Sequence, residues 1–119
     1  MQSQMSDFWT RMDRLMASHT LVIDRPRGSR HPRYPAIVYP LDYGYLAGTM
    51  AGDGDGIDVW RGSMPADALV AVACTVDSLK CDAEVKLLLQ CTDEEMAIVE
   101  RFYESNDYMS GMVIKRVQR

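Results

Sequence analysis

Proline and glycine decide what the first half of this chain can fold into. Residues 25–36 contain Pro26, Pro32, Pro35 and Gly28, which excludes a regular helix there. Pro40 restricts the β-branched and aromatic run 37–46, IVYPLDYGYL, to a sheet edge or a bend. A glycine-rich loop, GTMAGDGDG, then fills 48–56. What remains for regular structure in this half is a set of short β-type runs, TLVID at 20–24 and IDVWRG at 57–62.

Helical spacing lies only at the two ends. Phe8, Met12, Leu15 and Met16 recur at helical intervals and predict a helix over 6–18, with Ser6 as N-cap and Asp7 in the first turn. Its apolar stripe is either core-facing or, through Phe8, Met12 and Met16, subunit-facing. Thr92 with Glu95 three residues on forms a capping box that opens a second helix at about 93–105, with Ile98, Val99 and Phe102 on its apolar face. Between them, ALVAVACTV (68–76) and EVKLLLQC (84–91) read as strands joined by a polar hairpin turn. The tail MVIKRVQR suits a short strand or helix. The pattern is that of one α+β domain over 1–119, a small antiparallel sheet flanked by an N-terminal and a C-terminal helix.

Composition narrows the function classes. With 47% hydrophobic residues and a net charge of only −4 in 119 residues, the chain can bury one modest core and does not read as disordered. No apolar run approaches the roughly 20 residues of a membrane span, and the polar, mixed-charge start is unlike a signal peptide. The expectation is a soluble, cytoplasmic protein with no membrane partner. Cys74, Cys81 and Cys91 form no C-x-x-C, and His19 and His31 stand apart from them, so neither a disulfide framework nor a zinc cage is suggested. The acidic balance argues against nucleic-acid binding.

The charge is unevenly spread. Arg25, Arg27, Arg30 and Arg33 fall within nine positions, and Asp53, Asp55 and Asp58 within six. The carboxylate cluster is equally well a Gly/Asp turn or a site for hard cations. An EF-hand loop does not fit it, because Asp58 falls where the loop needs Gly and Met64 where it needs Glu. In an extended segment Asp53 and Asp55 point to one side, and the glycines allow Asp58 to converge on them. Three such carboxylates invite Mg²⁺ with waters and substrate phosphates. Tyr39, Tyr43 and Tyr45 are either packing aromatics or hydroxyl donors around a bend. The arginine run is either a solvated loop or a set of guanidinium forks for phosphate oxygens.

Taken in order, Tyr39-Pro40-Leu41-Asp42-Tyr43-Gly44-Tyr45 and Asp53-Gly54-Asp55-Gly56-Ile57-Asp58-Val59 resemble the family I soluble inorganic pyrophosphatases, whose pattern is Y-P-x-x-Y-G-Y, a spacer, then D-G-D-x-x-D-V. Downstream, Asp77 and Asp82-Ala83 match the family's D-x4-D-A. The resemblance implies an OB-like pyrophosphatase core, Mg²⁺ as cofactor, and hydrolysis of pyrophosphate by a metal-activated water. Asp53, Asp55, Asp58, Asp77 and Asp82 would be metal ligands. Asp55, Asp58, Tyr43 and Arg33 would be catalytic, with Arg25, Arg27, Arg30, Tyr39 and Lys86 binding substrate. Homo-oligomers are the family's habit.

Departures accompany the match. Glu84 stands where the family has a phosphate-binding lysine, with Lys86 two residues on, on the same strand face. The family's K-x-E falls on Arg33-Tyr34-Pro35, keeping a cation and losing the acid. Only Ala36 to Val38 stand where the family has an arginine-bearing hairpin, and no Tyr-Lys pair follows Phe102-Tyr103-Glu104. The expectation is therefore a pyrophosphatase. The alternatives are a hydrolase of a nucleotide or sugar diphosphate, or a non-catalytic metal- or phosphate-binding relic.

Overall fold

The computed structural model describes residues 4–52 and 54–117. The breaker-rich first half yields short strands, as its sequence requires, and the order of elements is α1 (Gln4–Ala17), β1 (Thr20–Arg25), β2 (Asp42–Ala47), β3 (Ile57–Arg61), β4 (Leu69–Asp77), β5 (Asp82–Leu89), α2 (Asp93–Glu104) and β6 (Met109–Lys115). The tail is thus a strand. No helix among the described residues is long and apolar enough to cross a membrane.

The six strands form one sheet in the order β1-β2-β3-β5-β4-β6. It is mixed rather than wholly antiparallel, because β3 runs parallel to β5. The remaining four pairings are antiparallel. The β4–β5 hairpin, turning at Ser78–Cys81, pairs Asp77 with Asp82. Its polar turn is where the sequence placed it. The chain is α+β.

Alternation along the strands sends side chains to two separate cores. On one face Trp60, Ala71, Ala73, Leu88, Tyr39 and Leu41 pack with Met96, Val99 and Tyr103 of α2. On the other, Leu46, Val59, Val72, Leu87 and Leu89 pack against Trp9 of α1. Helix α1 begins at Gln4, so Ser6 lies inside it and is not its N-cap. Its buried anchor is Trp9, flanked by Met12, Leu15 and Met16, whereas Phe8 is 40% exposed. Met12 and Met16 are partly buried against this core, and Phe8 of the same set faces outward.

Helix α2 starts as its capping box dictates: Thr92 Oγ1 accepts from the Glu95 amide at 3.1 Å, and Glu95 Oε1 accepts from the Thr92 amide at 2.9 Å. The same carboxylate oxygen accepts from the Ser63 amide at 3.1 Å, which fastens the helix start to the segment leaving β3. Residue 44 must be glycine, since a Cβ there would sit 1.8 Å from the Val22 carbonyl oxygen of β1.

Candidate active site

The strand register assembles the site on the α2 face. Tyr43 lies opposite Trp60 and Tyr45 opposite Asp58, so all four project to the same side of β2 and β3. On β5 the same face carries Glu84 and Lys86, and Ala73 of β4 stands opposite Lys86, leaving room for its long stem. A cleft of about 850 Å³ opens over this face. Asp24, Arg25, His31, Tyr39, Tyr43, Asp55, Asp58, Asp77, Lys80, Glu84, Lys86 and Asp107 line it.

Its floor is aromatic. Trp60 is fully buried, with ring centroids of Tyr43 at 4.6 Å, Phe102 at 5.2 Å and Tyr39 at 5.9 Å. Trp60 Nε1 donates to Tyr103 Oη at 2.9 Å, satisfying the indole inside the core.

At the centre stands Lys86, only 6% of its side chain exposed. Its Nζ donates to Asp58 Oδ2 at 2.7 Å and to Tyr43 Oη at 3.1 Å, with Glu84 Oε1 at 3.8 Å. Burial opposes the ammonium charge, but the electrostatic influence of Tyr103, Asp58 and Glu84 outweighs it and raises the Lys86 pKa. Burial, reinforced by Tyr103 and Asp58, also pushes the Tyr43 phenol well above its usual value of 10.0. At neutral pH the centre therefore holds a charged ammonium and a protonated phenol.

The Arg25 guanidinium donates to Tyr39 Oη and lies 5.4 Å from the Tyr39 ring centre. His31 Nδ1 accepts from the backbone amides of Arg33 at 3.1 Å and Tyr34 at 3.2 Å. Burial, then Arg25 and Arg33, lower the His31 pKa, so the ring is neutral and carries its proton on Nε2.

The expected site residues separate into two groups. Asp55, Asp58, Asp77, Tyr39, Tyr43, Arg25 and Lys86 line the cleft. Arg27, Arg30, Arg33 and Asp82 do not. Arg27 offers its backbone amide to Asp42 Oδ1 at 2.9 Å, and Arg30 Nη1 donates to the Pro35 carbonyl of its own loop at 2.9 Å. Asp77 Oδ1 caps the hairpin turn through the amides of Leu79 and Lys80, both at 3.0 Å, while Asp82 stands 3.8 Å from Lys80 Nζ. Asp53 lies outside the described residues. None of the three cysteines lines the cleft, and burial pushes the Cys91 thiol up to about 12.

A divalent cation can be tested against this donor set. Six carboxylates line the cleft (Asp24, Asp55, Asp58, Asp77, Glu84 and Asp107) against three cationic side chains, Arg25, Lys80 and Lys86. All-oxygen donors in excess suit a hard cation such as Mg²⁺. Among the described residues no three His, Cys, Asp or Glu are grouped closely enough to hold one ion. Asp58 Oδ2 already accepts from the Lys86 ammonium at 2.7 Å, whereas Asp55 is exposed at the cleft.

Several cleft residues carried no motif. His31 enters through a loop whose course the sequence does not specify, and Lys80 through the expected hairpin turn without a motif of its own. Glu84 read as a lost lysine sharing its strand face with Lys86, and the alternation Asp82-x-Glu84-x-Lys86 carries that shared face.

The fold defined by this sheet is pyrophosphatase-like. Neither a protein-family model nor any curated protein sequence matches the chain. Among solved structures it is similar to the inorganic pyrophosphatase of Helicobacter pylori, at a TM-score of 0.58 and 18% identity over 80% of this chain and 81% of that one. It is also similar to an inorganic phosphatase of Anaplasma phagocytophilum, at a TM-score of 0.55 and 18% identity over the same shares of the two chains.

Proposed function

We propose that this protein hydrolyses inorganic pyrophosphate, or a closely related phosphoanhydride, in a Mg²⁺-dependent reaction. One observation carries the reading: the cleft over Tyr43, Asp58 and Lys86 is rich in carboxylates and lies on a pyrophosphatase-like sheet. Pyrophosphate is itself highly anionic, and six carboxylates against three cations would repel it. It enters such a cleft as a cation complex.

Asp55, together with Asp53, would hold Mg²⁺ at the loop end of the cleft. When bound there it supplies Lewis acidity and neutralises phosphate charge. Arg25 also lines the cleft, with a guanidinium suited to two phosphate oxygens. Tyr43, protonated at neutral pH, donates a hydrogen bond to a phosphate oxygen or a water without adding charge. Lys86 holds Asp58 in place and contributes a fixed positive potential to the cleft. His31 offers its Nε2 proton as a donor.

A second substrate class is favoured by the size of the cleft. Its 850 Å³ exceeds what a bare pyrophosphate fills, and Tyr34 and Tyr108 at its wall are 50% and 55% exposed. Such faces could stack on a base or a sugar attached to a diphosphate.

The deciding experiment is phosphate release from pyrophosphate with Mg²⁺, set beside EDTA and beside a nucleoside diphosphate. Wild type is expected to turn over one of the two anhydrides, to stop in EDTA, and to lose at least about 100-fold on Asp55→Asn. A folded wild type that cleaves neither compound, or an Asp55→Asn variant with unchanged turnover, refutes the reading.

A further inference from the structure

We infer that Lys86 is a tethered cation occupying the position at Asp58 where a divalent ion would otherwise sit, so that Asp58 and Glu84 hold an ammonium instead of a metal. The geometry is that of an occupied cation site. Three strands converge on one Nζ: Tyr43 of β2 accepts at 3.1 Å, Asp58 of β3 at 2.7 Å, and Glu84 of β5 stands at 3.8 Å. Every group around the nitrogen is an oxygen, and two of the three are carboxylates, the donor chemistry of a hard cation. The side chains of Lys86 and Glu84 are 6% and 8% exposed, so the ammonium is held away from bulk water beside the carboxylates it neutralises.

The surrounding residues are arranged for this occupant. Ala73, opposite Lys86 in the β4–β5 register and fully buried, leaves space for the four-carbon stem. The Lys86 Nζ also lies 5.7 Å from the Tyr43 ring centre, a contact that suits an ammonium. A divalent ion ligated by Asp58 would share that carboxylate with a fixed positive charge in a poorly solvated pocket, where like-charge repulsion is large. Divalent ions are thereby kept from Asp58. Lys86 accordingly acts on the cation content of the site and not as a direct grip on substrate.

The inference concerns cation occupancy and rests on reading the cleft as a cation site, not on turnover. Mn²⁺ titration followed by the electron paramagnetic resonance of free Mn²⁺ tests it, on wild type, Lys86→Met and Asp58→Asn. Methionine keeps the stem and removes the charge. Lys86→Met is expected to bind one more Mn²⁺ per chain than wild type and to melt higher in Mn²⁺ than in EDTA. Asp58→Asn is expected to keep the wild-type Mn²⁺ stoichiometry. A folded Lys86→Met with wild-type Mn²⁺ binding overturns the inference, as does an Asp58→Asn variant that loses one equivalent. If Lys86→Met is unfolded in EDTA, folding restored by Mn²⁺ supports it, and failure in both conditions counts against it. Wild type without Mn²⁺ affinity, beside a Lys86→Met that gains one ion, would sink metal-dependent hydrolysis and leave the tethered cation standing.

Discussion

Replacing Tyr103 with phenylalanine removes one oxygen from the interior and leaves the ring where it is. That oxygen accepts from Trp60 Nε1 at 2.9 Å, and the two residues are 2% and 0% exposed. Phenylalanine cannot accept the bond, and the fully buried indole has no route to water. A buried donor left unsatisfied costs about 1–3 kcal/mol. For a domain of this size, about 2 kcal/mol corresponds to a fall in Tm of roughly 6–12 °C. Paired thermal and urea melts, followed by circular dichroism and tryptophan fluorescence, read it directly. The urea slope is expected to stay at its wild-type value, because the same surface is exposed on unfolding. A Tyr103→Phe protein that melts within about 1 °C of wild type would refute the reasoning, since the lost bond would then have no energetic content.

Two further outcomes follow from the geometry. Gly44→Ala places a Cβ 1.8 Å from the Val22 carbonyl oxygen, so β1 must separate from β2 at a cost of about 3 kcal/mol; a urea midpoint unchanged from wild type contradicts it. Asp42 is held below its ordinary value of 3.8 by the Arg27 amide hydrogen bond and, against a smaller opposing effect of burial, by Arg61. A depressed carboxylate contributes stability above the unfolded value and loses it as pH falls through the folded one. The stability curves of wild type and Asp42→Asn are therefore expected to lie apart at neutral pH and to converge in acid below about pH 4, and parallel curves down to acid contradict the pairing.

Much of the fold was legible because its signals are local. The Thr92–Glu95 capping box needs only four consecutive residues, and it opens α2 as expected. The apolar runs on either side of the polar segment 77–82 specify a hairpin without help from the rest of the chain. The start of α1 was missed because Ser6 is a good N-cap by type, while the helix is anchored by the burial of Trp9, a tertiary effect. The parallel β3–β5 pairing was missed for the same reason, since no local pattern states which strand lies beside which.

The site divides along similar lines. The tyrosine block and the Gly/Asp loop bring Tyr43, Asp55 and Asp58 to one cleft, and alternation on β5 adds Lys86. Of the arginine run only Arg25 lines the cleft, and the proline-rich course of this loop, with Arg30 Nη1 bonded to the Pro35 carbonyl, is nothing that local composition states. Sequence spacing also cannot show which partner claims a side chain. Asp58 is matched to a metal by its motif and to Lys86 by its neighbours.

The parallel pairing of β3 with β5 has a kinetic consequence. The bond between Asp58 and Lys86 closes a span of 28 residues that contains the whole of β4. Neither strand can reach the other by a simple turn, so the β4–β5 hairpin, whose contacts are local, forms more readily than its docking on β3. The cleft is then among the last features to assemble during folding. A chain whose hairpin is complete but undocked would have the sequence motifs in full and no site.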